Sequence, residues 1–198
     1  MRTDCGLPSK TKYAEYDLQN GIGLYSKVMY DCEKDYFMEG KPYIGCQDDG
    51  KWSPVRFGCF PVCDTGWKNF NRSCYKIPES KVTFKEAKIY CEEEDAFLAD
   101  VQSEEENKFI LALKGKRKLF LGGKYDSDVL EWRWLKTDVA FDGSGARTRL
   151  YTNWDKEEPN NLDEKRKEFC MGIFYSNKWH NWICSWKSNF VCKKNARA

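Results

Sequence analysis

The chain of 198 residues lacks the usual signatures of catalysis. It has a single histidine, His180, no Gly-rich phosphate-binding motif and no Ser-His-Asp arrangement. Its 33 basic and 31 acidic residues are mixed along the chain, and the net charge of +2 provides no field of the kind that attracts nucleic acid. We therefore predict a binding protein that is not an enzyme and has no nucleic-acid partner.

Long hydrophobic runs are absent as well. No apolar stretch approaches the roughly 20 residues that a membrane-spanning helix needs, so we expect no membrane insertion of this chain. The first residues show no charged segment followed by an apolar one, and we expect that a signal peptide has already been removed.

Cysteine is abundant, with ten residues. An even and high count predicts disulfides, which persist in oxidising compartments, so we expect a secreted, extracellular protein. The alternative, zinc-bound thiolates, requires CxxC pairs, and the nearest approach is Cys59 to Cys63. Asn71-Arg72-Ser73 is a glycosylation acceptor with Asn71 as the modified residue, which agrees with secretion.

The first part of the chain contains four cysteines, short apolar runs typical of strands, and no helical periodicity. About 55 residues bury little surface, so disulfides must contribute much of the stability. Spacing by itself leaves three ways to pair the four cysteines. The turn Asp48-Asp49-Gly50 precedes Trp52, which we interpret as a core residue.

Residues 1–60 resemble a sushi, or complement control protein, module. The resemblance implies a small all-β domain that acts as a spacer or a protein-docking surface. It also implies the disulfides Cys5–Cys46 and Cys32–Cys59. It rests on Cys5-Gly6-Leu7-Pro8, Tyr30-Asp31-Cys32, Tyr36 with Gly40, Gly45-Cys46, and Gly50-Lys51-Trp52-Ser53 before Cys59.

Residues 61–198 have a different pattern. Thr83 with Glu86, and Ser103 with Glu106, each have the spacing of a capping box and predict two helices, the second ending at Gly115. Loop-rich sequence and short apolar runs follow, which together favour an α+β domain. Only Phe60-Pro61-Val62 separates Cys59 from Cys63, so we expect a stiff connection.

This second part resembles a C-type lectin-like domain with two helices, short antiparallel strands, a long loop region and disulfides. The resemblance implies the pairs Cys63–Cys74, Cys91–Cys192 and Cys170–Cys184. The matching segments are Cys63-Asp64-Thr65-Gly66-Trp67, Ser73-Cys74-Tyr75, Ala96 to Val101, Asn153-Trp154 before Glu158-Pro159-Asn160, and Val191-Cys192.

Glu158-Pro159-Asn160 is the motif that predicts ligand binding. Calcium takes six to eight oxygen ligands, and a cis peptide before Pro159 would direct the Glu158 and Asn160 side chains the same way. The resemblance adds Glu168, two residues before Cys170, and Asn181 to a predicted calcium site of Glu158, Asn160, Glu168 and Asn181. The same residues together with His180 form the predicted carbohydrate-binding site.

Two ligand positions depart from the family pattern, since His180 replaces asparagine and Asn181 replaces aspartate. Imidazole is a poor calcium ligand, and the lost carboxylate reduces three negative charges to two, so we expect weak, near-millimolar calcium binding. Alternatively, the His180 ring N–H donates to a sugar hydroxyl, or the residue has no role.

Two hypotheses follow. In the first, the domain binds mannose- or fucose-type glycans or glycoproteins through calcium, as the Glu-Pro-Asn order implies, and several copies act together in an oligomer. In the second, it binds a protein partner without calcium, in adhesion or immune interaction, through the loop 138–151 and the edge from Trp182 to Trp186. The charged loop 162–167 resembles a basic stretch of selectins and favours an acidic sugar, or is merely solvated.

Overall fold

The computed structural model describes residues 4–142, 150–160 and 169–196. It contains two compact units, Met1–Asp64 and Thr65–Asn195. In the described part of the chain, neither helix is long and apolar enough to cross a membrane.

The first unit is built of short antiparallel strands. A three-stranded sheet has the order β1-β2-β4, and β3 pairs with β5. Burial alternates along β2, so that Val28 and Tyr30 face inward and meet Ile44 of β4. The strands are β1 (Ala14–Asp17), β2 (Lys27–Cys32), β3 (Tyr36–Lys41), β4 (Tyr43–Gly45) and β5 (Arg56–Pro61).

Disulfides and a tryptophan hydrogen bond hold this small unit together. The bridges are Cys5–Cys46 and Cys32–Cys59, the two pairs that the sushi resemblance implies. Trp52 packs against the core, and its indole Nε1 donates to the carbonyl of Gly6 at 3.0 Å. Gly40 has a φ of 102°, and a Cβ there would lie 2.2 Å from the Arg56 carbonyl oxygen, so this crossing of β3 and β5 requires glycine.

The second unit contains two sheets and two helices. One sheet has the order β6-β7-β15-β8, and the other has the order β11-β10-β9-β12-β13, with β14 parallel to β9. The elements are β6 (Lys68–Phe70), β7 (Ser73–Lys76), α1 (Phe84–Glu93), β8 (Phe97–Leu98), α2 (Glu104–Lys114), β9 (Leu119–Asp126), β10 (Glu131–Trp134), β11 (Ala140–Asp142), β12 (Phe169–Ile173), β13 (Trp179–Ile183), β14 (Asn189–Phe190) and β15 (Cys192–Asn195).

The hydrophobic core of this unit lies between the helices and the larger sheet. All five residues of β12 are buried, and Trp179 of β13 is fully buried with its Nε1 donating to Asn107 Oδ1 of α2 at 3.0 Å. The bridges Cys91–Cys192 and Cys170–Cys184 are formed, and Cys63 and Cys74 are also disulfide-bonded. The α+β architecture expected from the sequence is confirmed.

Helix α1 begins with the predicted capping box. Thr83 Oγ1 accepts from the Glu86 backbone N–H at 3.4 Å, while a Glu86 carboxylate oxygen accepts from the Thr83 backbone N–H at 2.8 Å. The Thr83 backbone and hydroxyl donors lower the pKa of Glu86. The helix contains Cys91, which forms a disulfide with Cys192 of β15. The residue at which the helix begins therefore sets where this disulfide lies along it.

Helix α2 corrects the second capping prediction. Ser103 Oγ accepts from the Glu106 backbone N–H at 3.1 Å, as expected. The Glu106 carboxylate, however, does not return to the Ser103 backbone and instead accepts from the Gln102 backbone N–H at 2.9 Å. The reciprocal half of the predicted box was therefore wrong, because Glu106 is buried at the domain interior and its second oxygen bonds there.

That interior contains a closed network of charged and polar groups. Lys193 Nζ of β15 lies 2.7 Å from Asp100 Oδ1 and 2.7 Å from Glu106 Oε1, and all three residues are buried. The Tyr75 hydroxyl donates to the same Glu106 oxygen at 2.6 Å. Burial and the neighbouring Glu106 charge raise the pKa of the Tyr75 phenol, which therefore remains a donor.

We expect Thr83→Ala to reduce the free energy of unfolding by about 1 kcal/mol, because the first turn of α1 loses a hydrogen-bonded cap. Thr83→Ser, which keeps the hydroxyl, should differ from the wild type by a few tenths of that amount. Urea unfolding followed by far-UV circular dichroism measures both variants. Equal loss in the serine and alanine variants would contradict a capping role.

Candidate functional site

The candidate site lies where the segment before residue 160 runs beside the start of β13. Trp154 and Trp179 form a parallel bridge, the Asp155 N–H donates to the Trp179 carbonyl at 3.0 Å, and the Trp179 N–H donates to the Asn153 carbonyl at 2.9 Å. Because Trp154 packs against the core and Trp179 is buried in it, these bonds hold the segment in a defined register. The Glu158–Pro159 peptide is cis, as the sequence predicts.

Glu158 lies at the centre of the site. Its Oε1 accepts from Asn160 Nδ2 at 2.8 Å and lies 3.1 Å from His180 Nδ1, and its Oε2 accepts from the Asn181 backbone N–H at 3.4 Å. The side chain is only 11% exposed. A carboxylate this shielded is stabilised by its donors, so the four residues form one hydrogen-bonded cluster.

Asn160 and Asn181 are joined in both directions. The Asn160 backbone N–H donates to Asn181 Oδ1 at 2.8 Å, and Asn181 Nδ2 donates to the Asn160 carbonyl at 3.0 Å. The side-chain amide of Asn181 thus pairs with the Asn160 backbone through one donor and one acceptor, as a neighbouring strand would. An aspartate at this position could accept but could not donate, so the second bond depends on the amide.

His180 bridges two acids. Besides Glu158, its ring contacts Asp155, with Nε2 3.0 Å from Asp155 Oδ2, and Nε2 also lies 3.0 Å from the Ser176 hydroxyl. Both acids are acceptors, so each of these two contacts needs an N–H on the ring nitrogen that faces it, whereas the Ser176 hydroxyl can donate or accept. The hydroxyl of Ser176, the Lys156 backbone N–H and the His180 ring lower the pKa of Asp155.

Asp155 and Ser176 were missed by the sequence reasoning. Asp155 directly follows Trp154 and lies three residues before Glu158, so an acid at that position was a signal that could have been used. Ser176 is in the turn between β12 and β13, and only the pairing of these strands brings it to the ring of His180.

The structure brings together Glu158, Asn160, His180 and Asn181 from the predicted set. Glu168 lies outside the described residues, as do the charged loop 162–167 and residues 143–149 of the loop 138–151. Asn71 lies at the exposed turn between β6 and β7, and its glycosylation remains a prediction. Of the predicted aromatic edge, Trp186 is 54% exposed, whereas Trp182 is buried.

The fit of this cluster to calcium rests on its oxygens. In the described part of the chain, no group of three or more His, Cys, Asp and Glu side chains is placed to hold a metal. Glu158 contributes one carboxylate and Asn160 and Asn181 contribute amides, which is fewer oxygens than the six to eight that calcium takes. An ion would also compete with the hydrogen bonds that Glu158 receives from Asn160 and His180. Glu158, Asn160 and Asn181 would therefore supply part of a calcium shell, and its low affinity stays a prediction.

Comparison with protein families identifies both parts of the chain. A Lectin C-type domain matches residues 80–194, and a Sushi repeat matches residues 5–63. The chain is 28% identical to the secretory phospholipase A2 receptor of Bos taurus over 83% of this chain and 11% of the receptor. It is 27% identical to the hepatic lectin of Gallus gallus over 65% of this chain and 58% of that lectin. The chain therefore spans only part of the length of these relatives.

The fold is shared with solved lectin domains. The carbohydrate-recognition domain of the mouse scavenger receptor C-type lectin is 30% identical, with a TM-score of 0.59, and the match covers 69% of this chain and 98% of that domain. The region matched by the family, residues 80–194, contains the two helices, the larger sheet and the cluster around Glu158. The chain belongs to the C-type lectin domain family and carries a sushi repeat ahead of its lectin domain.

Proposed function

We propose that the protein recognises mannose- or fucose-type glycans through the cluster of Glu158, Asn160, His180 and Asn181. The observation that carries the proposal is the convergence of one carboxylate, two amides and an imidazole within hydrogen-bond distance of one another. A sugar hydroxyl both donates and accepts, and this cluster offers both kinds of partner.

The residues act by exchanging their mutual hydrogen bonds for bonds to the sugar. Glu158 accepts from a hydroxyl, and the amide of Asn160 donates to the same or a neighbouring hydroxyl. His180, held by Asp155 and Ser176, presents a ring N–H in a fixed orientation. A bound calcium ion, held by Glu158, Asn160, Asn181 and Glu168, would supply coordination of two neighbouring hydroxyls.

The order Glu158-Pro159-Asn160 is the basis for the sugar class, since the lectin family uses it for sugars with equatorial 3- and 4-hydroxyls. The scavenger receptor domain described above is itself named as a carbohydrate-recognition domain. Because each site has few oxygens for calcium, single-site affinity is low, and useful binding requires several copies through oligomers or repeated modules. The disulfide-bonded cysteines support an extracellular location, and the relatives named as lectin and receptor support a binding protein over an enzyme.

Retention on immobilised mannose or fucose tests the proposal. With calcium present, we expect the wild type to be retained and to elute with chelator, and Glu158→Gln to lose at least about tenfold in affinity because a charged acceptor is lost. Glu157→Gln removes the same charge from an exposed neighbour and is the matched control. No retention on any sugar, together with no calcium-dependent rise in melting temperature, would refute the proposal.

A second function is favoured by one specific contact. His180 bridges Glu158 and Asp155, so its ring occupies carboxylate oxygens that a calcium ion would need. This arrangement supports a calcium-independent protein-binding module in adhesion or immune interaction, with the exposed Trp186 as an anchor. Binding to a protein partner that survives chelator and is weakened by Trp186→Ala, with no sugar retention, would favour this function over the first.

A further inference from the structure

A cleft of about 380 Å³ on the second unit is lined by basic side chains from separate segments of the chain. Lys81 precedes α1, Lys116, Arg117 and Lys118 connect α2 to β9, and Lys187 lies between β13 and β14. No residue of the Glu158 cluster lines this cleft. It is therefore a feature separate from the site described above.

Most of this positive charge is not neutralised locally. Arg117 pairs with Glu79 at 3.1 Å, and its other nitrogens donate to the carbonyls of Leu113 and Lys114. For the four lysines, the described residues provide no carboxylate within ion-pair distance, although Lys187 is near enough to Glu86 to contribute to the lowered pKa of that carboxyl. Lys81, Lys116 and Lys187 are exposed, and Lys118 is half-buried. Four like charges around one cleft repel one another, and a bound polyanion would relieve this repulsion.

Aromatic rings line the same region. Lys118 Nζ lies 4.8 Å from the ring centroid of Tyr175 and 5.1 Å from that of Trp182. Tyr175, which lines the cleft, is 73% exposed. Trp186 lies outside the lining, contacts the Trp182 ring with centroids 5.8 Å apart, and is 54% exposed. Trp182 lines the cleft, and its buried Nε1 has no hydrogen-bond partner among the described residues. The surface thus combines fixed cations with flat apolar faces of the kind that stack on sugar rings.

We propose that this cleft binds a segment of a sulfated polysaccharide. Sulfate groups stay negatively charged across physiological pH, and they occur on sugar rings whose faces can stack on the exposed ring of Tyr175 in the cleft. The disulfide-bonded cysteines indicate an oxidising, extracellular setting, where a polysaccharide is a more suitable ligand than nucleic acid. The net charge of only +2 agrees with a local patch for a short segment. The site requires no calcium and is independent of the function proposed above.

Binding of a heparin octasaccharide in the presence of chelator tests this assignment. We expect Lys81→Gln, Lys116→Gln and Lys187→Gln together to weaken binding roughly threefold for each lysine, or about 30-fold in all, at physiological salt. The control variant changes Lys10, Lys68 and Lys136 to Gln, three exposed lysines outside the cleft. It should bind within about twofold of the wild type, because local charge near the cleft is kept.

Two further ligands make the result decisive. Desulfated heparin should fail to bind, and single-stranded DNA of equal charge should bind at least tenfold more weakly than the octasaccharide. An equal loss of octasaccharide affinity in the triple variant of Lys81, Lys116 and Lys187 and in the control variant would overturn the proposal. Equal affinity for the DNA and the octasaccharide would overturn the assignment to polysaccharide. Unchanged melting temperatures of both variants confirm that the fold is retained, since all six lysines are exposed.

Discussion

Changing His180→Asn and Asn181→Asp together is expected to raise calcium affinity about 100-fold, because affinity at such sites follows the number of charged oxygen ligands. Asn181→Asp adds a full negative charge beside Glu158. His180→Asn removes the ring that lies 3.1 Å from the Glu158 carboxylate and replaces it with a side chain that carries an oxygen. Isothermal titration calorimetry with calcium chloride measures the change.

The control for this experiment is Ser185→Asp, which adds the same charge at an exposed position after β13. It should alter calcium affinity less than twofold, because a charge outside the cluster is screened by solvent. A double variant that gains less than threefold would show that the cluster of Glu158, Asn160 and Asn181 is not a weakened calcium site. The calcium-independent function would then be preferred.

Replacing Lys193 with methionine is expected to reduce the free energy of unfolding by about 3–5 kcal/mol, because two buried carboxylates lose their counter-ion. Lys193 Nζ is the cation shared by Asp100 and Glu106, each at 2.7 Å, and also donates to the Asp100 carbonyl at 3.2 Å. Chemical denaturation with the disulfides intact measures the loss.

Adding Glu106→Gln to Lys193→Met separates charge from packing. The neutral amide removes one of the two uncompensated charges, and its single oxygen can accept from Tyr75 or from the Gln102 backbone but not from both. We therefore expect the double variant to recover part of the lost stability. If Glu106→Gln lowers the free energy of unfolding as much in the Lys193→Met background as in the wild type, the uncompensated charge is not the cause of the loss. Lys136→Met, an exposed lysine, should be nearly neutral and serves as a control.

Much of the fold could be predicted because its signals are local. Thr83 and Glu86 are three residues apart, and the cap that their spacing predicts is formed. The resemblance to two families led to the disulfides of both domains and to the pairing of Glu158 with Asn160. Glu106 shows the limit of local rules, because a buried partner 87 residues away, Lys193, competes for its carboxylate.

For the candidate site as well, the sequence and the tertiary structure determine different features. The sequence by itself determined the family, the chemistry of Glu158-Pro159-Asn160, and the departure from the family pattern at His180 and Asn181. Only the tertiary structure decided that His180 bridges Glu158 and Asp155, that Asn181 bonds to the Asn160 backbone, and that Lys81, Lys116, Lys118 and Lys187 surround one cleft. The physical reason is that these contacts join residues from separate elements, so they depend on strand pairing and core packing, which no short spacing in the sequence encodes.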